Sequence, residues 1–348
     1  MTGAVDPLPA PPLADGANPM EAAATGADAT GSAGAADPST PPPAAVSATA
    51  APRQPLIPLE SLPALPPLRL AVVGHVEVVT FLRVPELPAA GAICRASEGM
   101  DLPAGGGAVV AVQLAKLTGQ RVTFFTALGR DRVGEQAAAD LEALGLELQV
   151  AWRDAPSRRG VSWVDGHGER TITVLGERLS PCAADSLPWG RLQKVDGVFV
   201  TATDAQGLRL ARRSPLLAAT PRVGWTVLEQ SGVQLDALVG SALDPAEALP
   251  DPLPTPLPRQ IIATEAGAGS RATPGGPFDA PTLDAPLVDA YGAGDSFAAG
   301  LSAALAAHWS LLEAISLGSH CGAACLRGFG PYVGQLARQA LPGLASQP

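Results

Sequence analysis

The sequence predicts an α/β protein, a three-layer sandwich with a mostly parallel central sheet and a small β lid. Three observations carry this. Short apolar runs alternate with helical runs from Leu68 to Thr264, a rhythm that argues a parallel sheet covered on both faces. Two β-rich patches, 76–104 and 158–176, interrupt that rhythm and pair most simply as a small separate sheet. Two helical stretches, about 294–307 and 311–326, then close the chain, the first entered through a glycine-rich turn.

The elements follow in order. Residues 68–74 (LRLAVVG) form a short apolar run ending in glycine, as suits a buried first strand. Residues 78–82 and 93–96 read as lid strands, punctuated by Pro85, Pro88 and Pro103. A helix over 108–117 is entered through Gly105-Gly106-Gly107, and a strand follows at 122–125. The helix over 133–144 begins after Asp131, an ordinary N-cap residue, and Gly145 closes it in the expected C-terminal position. The runs 161–164 and 170–174 flank Asp165-Gly166-His167-Gly168 and read as a hairpin. Beyond Val195 the pattern predicts a strand at 197–201, a helix near 206–218, a strand at 223–227, a helix near 233–238 and a strand at 261–264.

Of the 348 residues, the first 66 are dominated by Ala and Pro, without hydrophobic period. Such a segment buries too little apolar surface to offset its ordering entropy. It reads as a disordered leader or an over-extended start. The expected domain spans 67–335, with a tail at 336–348. The net charge is −10, and six carboxylates (Asp6, Asp15, Glu21, Asp28, Asp37, Glu60) against Arg53 put about half of it in the leader. No basic stripe points to nucleic acid. Cys321 and Cys325 lie four apart in an apolar helical run with only His320 beside them, so they, like Cys94 and Cys182, read as free thiols in a reducing cytoplasm. The start lacks the basic and apolar regions of a secretory signal, and no run of 18 apolar residues predicts a membrane span. A P-loop G-x-x-x-x-G-K-[ST] and a G-x-G-x-x-G after the first strand are both missing, which excludes P-loop and nicotinamide chemistry.

The most informative stretch is Asp289-Ala290-Tyr291-Gly292-Ala293-Gly294-Asp295-Ser296-Phe297. The first turn of a helix leaves its N–H donors unpaired and carries about half a positive charge. That end suits an anion, and a carboxylate beside it can orient a hydroxyl for attack on phosphorus. The plainer alternative is a glycine-rich cap with Asp295 as a first-turn acid. Together with Ala298-Ala299-Gly300-Leu301, this string resembles the C-terminal signature of the ribokinase-like (PfkB) carbohydrate kinases. Other segments resemble that family in the same order: Gly74, Gly105-Gly106-Gly107-Ala108 and Gly119, then Gly129-Arg130-Asp131-Arg132-Val133-Gly134. Next come Gly168-Glu169-Arg170-Thr171 as a lid strand and Asp244-Pro245-Ala246-Glu247 in place of the family's N-x-x-E. Thr264-Glu265-Ala266-Gly267-Ala268-Gly269 is similar to the nucleotide-side T-x-G-x-x-G with its first glycine displaced, and Gly328-Phe329-Gly330 falls where the adenine would lie. The resemblance spans about 68–332.

The resemblance implies a ribokinase-like fold and ATP-dependent phosphorylation of a hydroxyl on a sugar or sugar-like molecule. It assigns Asp295 as base and the amides of Gly292, Ala293 and Gly294 as the anion hole. It gives Glu247 and Asp244 to Mg²⁺, and Thr264, Gly267, Gly269 and Gly328 to the nucleotide. The acceptor falls to Glu77, Gly105, Gly106, Gly107, Arg170 and Asp295, and a monovalent cation is admitted as a further cofactor. The helix end is expected to lower the Asp295 pKa. Two positions depart from the pattern: Val79 and Val109 stand where the family places an aspartate and an asparagine on sugar hydroxyls. Glu77 shares the strand face of Val79, roughly 6.6 Å along, and is weighed as the missing carboxylate against a solvent-facing lid residue. The departures leave a nucleoside, a modified sugar or a more apolar alcohol as acceptor, and a weak or inactive binding protein as the alternative class. The edges of the lid sheet suggest a homodimer.

Overall fold

The computed structural model describes residues 51–342. The first 50 residues of the expected leader and residues 343–348 of the expected tail lie outside the described residues. In chain order the elements begin with β1 (Leu70–Val73), β2 (Glu77–Arg83), β3 (Glu98–Ala104), α1 (Gly106–Thr118), β4 (Val122–Gly129), α2 (Arg132–Ala143) and β5 (Leu146–Arg153). They continue with β6 (Arg159–Val164), β7 (Arg170–Leu175), β8 (Gly197–Val200), α3 (Ala205–Ala211), β9 (Leu216–Ala219) and α4 (Trp225–Ser231). The last are β10 (Ala237–Ser241), β11 (Gln260–Thr264), β12 (Ser270–Thr273), β13 (Gly276–Phe278), α5 (Ala293–Ala306) and α6 (Leu311–Cys325).

A nine-stranded sheet runs in the order β13-β12-β11-β10-β9-β8-β1-β4-β5. From β11 to β5 the strands are parallel, whereas β12 and β13 are antiparallel. The two-residue period of a strand sends side chains to opposite faces. Val72 accordingly packs with α1, α2, α5 and α6, while Ala71 and Val73 pack with α3, α4 and the turn Trp189–Lys194. These are the three expected layers. From β1 the chain moves outward to β4 and β5, then returns to the other side of β1 at β8. Such a reversal opens a crevice at the carboxyl ends of the strands, here at the exits of β1 and β8.

The lid is a four-stranded sheet, β3-β2-β6-β7. Its inner face carries Val79, Phe81, Gly160 and Ser162, and the β6–β7 register adds Arg170, Ile172 and Val174 to that face. The hairpin forms as the sequence predicts. The third lid strand does not: residues 93–96 form no strand, Ile93 is fully exposed, and β3 occupies 98–104 instead. Pro103 fits there because β3 is an edge strand, where a missing donor is tolerated.

A second difference lies between 212 and 241. The expected helix near 206–218 ends at Ala211 and gives way to β9, the expected strand at 223–227 is the start of α4, and the expected helix at 233–238 runs into β10. These strands are four or five residues long and wholly or nearly apolar, too short for a period to separate helix from strand. Pairing with β8 and β11 decides them.

The leader boundary also moves. Residues 51–66 are packed, not disordered. Arg53 pairs with Glu265, Gln54 bridges to Phe278 on the edge strand β13, and the Ile57 amide donates to Ser316 Oγ at 2.9 Å. Leu62 and Leu65 are buried. Prolines keep the segment irregular while its scattered leucines still bury apolar surface. At the other end, Leu341 is buried and Arg338 donates to the Thr118 carbonyl, so the expected tail is in part docked. Cys321 and Cys325 are buried free thiols, as expected. No helix among the described residues is long and apolar enough to cross a membrane.

Asp131 caps α2 as predicted, and does more. Its Oδ1 accepts from the Gly134 amide and the Ser157 hydroxyl, both at 2.8 Å, and its Oδ2 accepts from the Ser157 amide at 2.7 Å. Burial pushes the carboxyl up, but these hydrogen bonds outweigh it and hold it below the usual range. Asp131→Ala is expected to cost about 2–4 kcal/mol in urea denaturation at pH 7, a lost cap plus lost charge-assisted bonds. A depressed folded pKa stabilises above the unfolded value, so the cost should shrink as pH falls below about 4.

Candidate active site

Bare backbone builds the crevice. A side chain on Gly107 would stand 2.6 Å from the His75 carbonyl oxygen, and one on Gly74 3.0 Å from Gly107 Cα. Glycine at both places lets the first turn of α1 lie directly on the β1 exit. The N-cap residue of α1 is Gly105 (φ 84°) and that of α5 is Gly292 (φ 81°), and no side chain caps either end. The two open ends meet: a methyl group on Gly106 would lie 2.9 Å from Asp295 Oδ1. Gly294 has nothing within 4 Å of where a side chain would project, so the α5 amide end is open. Asp295 is partly exposed on the wall of this cleft, not sealed in the interior.

The loop into α5 is held from beneath. Asp289 is fully buried, accepting from the Tyr291 amide at 2.8 Å and the Gly330 amide at 2.9 Å. The Tyr291 hydroxyl donates to Glu77 Oε1 and accepts from the Gly105 amide, both at 3.2 Å. Its ring meets Phe81 edge-on at 4.9 Å between centroids. Arg170 donates to the Ala290 carbonyl at 3.0 Å, tying the lid hairpin to the same loop.

Glu77 is only 8% exposed, which overturns its reading as a solvent-facing lid residue. It pairs with Arg158 at 3.0 Å and packs beside Gly105. Val79 is buried on the lid face, and Val109 packs under Gly292. Neither offers a polar atom to an acceptor.

Arg222, whose charge acts on Asp295, pairs with both Asp244 and Glu247. Glu247 Oε2 also accepts from the Ser241 amide at 2.7 Å, and Asp244 Oδ1 caps the turn Pro245–Glu247 by accepting from the Ala246 amide at 2.9 Å. Among the described residues no group of three or more His, Cys, Asp or Glu side chains could hold a metal unaided. Mg²⁺ needs no such cage, since it keeps waters and takes phosphate oxygens. The Glu247 carboxylate has lone pairs to spare for a metal-bound water, so its chemistry fits the ion.

The expected lowering of the Asp295 pKa is not found. Burial, and then the Glu247 charge, push the carboxyl up to about 6, against the opposing pull of Arg222 and Arg170, with Glu77 adding to the rise. His75, beside Gly105, is driven the other way, down to about 3, by burial and the charges of Arg178, Arg158 and Arg222, so it is neutral at pH 7.

The residues expected on the nucleotide side have separate surroundings. Thr264 Oγ1 donates to the Gly240 carbonyl at 3.4 Å, Gly269 packs on Phe278, and Gly328 packs on Gly334. Gly267 is open. Five side chains of the crevice escaped the sequence reading: His75, Arg158, Arg178, Arg222 and Tyr291. Tyr291 stood inside the singled-out string, and His75 follows the glycine that ends β1. The arginines carried no local signal, because lid strands and a turn bring them together from separate segments.

Family and fold together define a phosphotransferase. The sequence profile of the pfkB family carbohydrate kinases matches residues 68–212 and 227–336, and the chain belongs to that family. Its fold is the ribokinase fold. Ribokinase from Thermotoga maritima is similar over 78% of this chain and 97% of its own, with 22% identity and a TM-score of 0.62. Ribokinase from Arabidopsis thaliana, complexed with ribose and ATP, is similar over 78% and 97%, with 18% identity and a TM-score of 0.62. In sequence, the ATP-dependent ribose-1-phosphate kinase of Halopiger xanaduensis is 28% identical over 277 residues, 74% of this chain and 91% of that protein. The protein is thus an ATP-using kinase for a sugar-like substrate.

Two outcomes follow from the geometry. A carboxyl whose folded pKa lies above its unfolded value weakens the fold as pH rises through that interval. Asp295→Asn is therefore expected to raise the unfolding free energy at pH 7.5 by roughly 1–3 kcal/mol after allowing for its partial exposure, as read by urea denaturation, with the gain vanishing near pH 4. Gly106→Ala should fold normally but displace Asp295, lowering kcat on the order of 10- to 100-fold, as read by ADP release beside an unchanged circular dichroism spectrum.

Proposed function

We propose that the protein transfers the γ-phosphoryl group of ATP to a hydroxyl of a sugar or sugar-like acceptor, with Asp295 as the base. The observation that carries this reading is the carboxylate at Gly106, between two helix ends that no side chain caps. An acceptor seated on Gly105–Gly107 presents its hydroxyl to Asp295, and the amides of Gly292, Ala293 and Gly294 face the phosphoryl group that it attacks. Phosphoryl transfer passes through a loose transition state with charge on the equatorial oxygens, so positioning and charge stabilisation dominate. Arg222, held by Glu247 and Asp244, adds a cation whose charge acts on Asp295. Mg²⁺, when bound, neutralises the triphosphate. Glu247 is the residue suited to hold its waters, and Asp244 orients Arg222.

The raised Asp295 pKa supports the role. A base near 6 is mostly ionised at neutral pH yet accepts a proton more readily than an ordinary aspartate. Small or open positions at Thr264, Gly267, Gly269 and Gly328 suit the nucleotide. The Arabidopsis structure with ribose and ATP, and the relative acting on ribose 1-phosphate, support a sugar acceptor. The alternative, a binding protein without turnover, draws on Val79 and Val109.

Acceptor-dependent ADP release from Mg-ATP, across sugars, sugar phosphates and nucleosides, separates the two. Release with none of them would leave a binder. Asp295→Asn is expected to lower kcat by about 10²–10⁴ with ATP affinity little changed; a variant keeping most of its turnover removes Asp295 from the mechanism. In the wild type, log(kcat/KM) should fall on the acid side with an apparent pKa of about 6.

A further inference from the structure

The acceptor end of the crevice is built for charge more than for hydroxyl groups. Val79 and Val109 offer it no polar side chain, while Arg158 and Arg178 stand by Glu77 and His75, the two residues beside Gly105. Arg158 stands next to Glu77, which itself packs beside Gly105 of the acceptor turn. Its Nε lies 3.0 Å from Glu77 Oε2 but is buried without hydrogen-bond geometry. Among the described residues no protein acceptor meets its two terminal nitrogens. Arg178 follows the last lid strand and donates to the Arg222 carbonyl at 3.0 Å; among the described residues no carboxylate pairs with it. Arg178 is an exposed residue; partial desolvation, and then repulsion from Arg158 and Arg222, outweigh the pull of Glu77 and hold its guanidinium below the usual range. Glu77 is engaged by Arg158, and Asp244 and Glu247 by Arg222. Arg178 is left as the cation of the group with no carboxylate in direct contact.

The lid face above is apolar. Val79 and Val174 flank Gly160, and Ile172 and Val174 are 39% and 47% exposed toward the cleft. The ligand complementary to this arrangement has a compact body under an apolar lid and one strongly anionic end.

We propose that the acceptor carries a phosphate monoester besides the hydroxyl that is phosphorylated, and that Arg178 and Arg158 hold that ester. This rests on the phosphotransferase reading of the same site. Guanidinium forks match phosphate oxygens two at a time, and a dianion relieves the mutual repulsion of neighbouring guanidinium groups better than a carboxylate does. The reaction leaves the ester untouched: the acceptor oxygen bonds to the γ-phosphorus, the bond from that phosphorus to the β–γ bridging oxygen breaks, ADP departs, and the hydroxyl proton passes to Asp295. The product bears two phosphate esters.

The test uses the full chain with Mg-ATP and three acceptors: ribose 1-phosphate, ribose and ribonate. The expected kcat/KM for the phosphate ester exceeds that for ribose by at least about 100-fold, the worth of two charge-assisted contacts. Arg178→Gln should raise the KM for the ester roughly 10- to 100-fold with a smaller change in kcat, as loss of ground-state binding requires. The preference for ester over ribose should fall by at least about tenfold, and Arg178→Lys should be intermediate. Equal turnover of ribose and the ester, a preference for ribonate, or an equal loss on ester and ribose in Arg178→Gln would overturn the proposal. If no acceptor yields ADP, the kinase reading fails separately, and calorimetric titration of ATP-free protein decides the seat. Ester bound more tightly than ribose, with the difference lost in Arg178→Gln, sustains it; equal binding sinks it.

Discussion

The whole site depends on the close approach of two helix N-termini over the exit of β1. That approach is steric before it is electrostatic. Gly74 and Gly107 let α1 lie against the strand end, and Gly106 leaves room for the Asp295 carboxylate. With no side chain capping either helix, the amide donors of both first turns are left for a ligand. The reversal of strand order around β1 puts a crevice at the same spot. Topology supplies the cleft, glycine supplies the proximity, and the helix ends supply the field.

The electrostatics then turn on which effect wins at Asp295. The helix end, Arg222 and Arg170 favour the ionised carboxylate; burial, Glu247 and Glu77 oppose it, and burial with Glu247 prevails. Reasoning from the dipole alone gives the wrong sign, because the charge of a helix end is spread over several amides while desolvation acts on the whole carboxylate. Glu247 therefore serves twice. It pairs with Arg222, and through its charge it raises the pKa of Asp295.

Tyr291 joins the lid to both helix ends. Its hydroxyl bridges Glu77 of the lid and the Gly105 amide of α1, its ring packs on Phe81, and its backbone belongs to the turn that starts α5. Lid, the Gly105 turn and the turn into α5 are thus joined at this point, and the Arg170 bond to the Ala290 carbonyl adds a second tie.

Much of this was legible in the chain itself. The parallel sheet, the β6–β7 hairpin, the helices α1, α2, α5 and α6, the Asp131 cap and the Gly292–Asp295 turn all follow from local rules about period, capping and backbone freedom. Where runs were short and uniformly apolar, as at β9 and β10, neighbours in the sheet made the choice. Pro103 became part of a strand because that strand lies on an edge, and residues 51–66 became ordered because α6 and β13 offered them a surface. Composition and spacing determined the fold class and the glycine-rich turn into α5. Only tertiary structure buried Glu77, raised the Asp295 pKa and drew Arg158, Arg178 and Arg222 around one cleft, because burial and charge at a point are summed over segments that the chain keeps far apart.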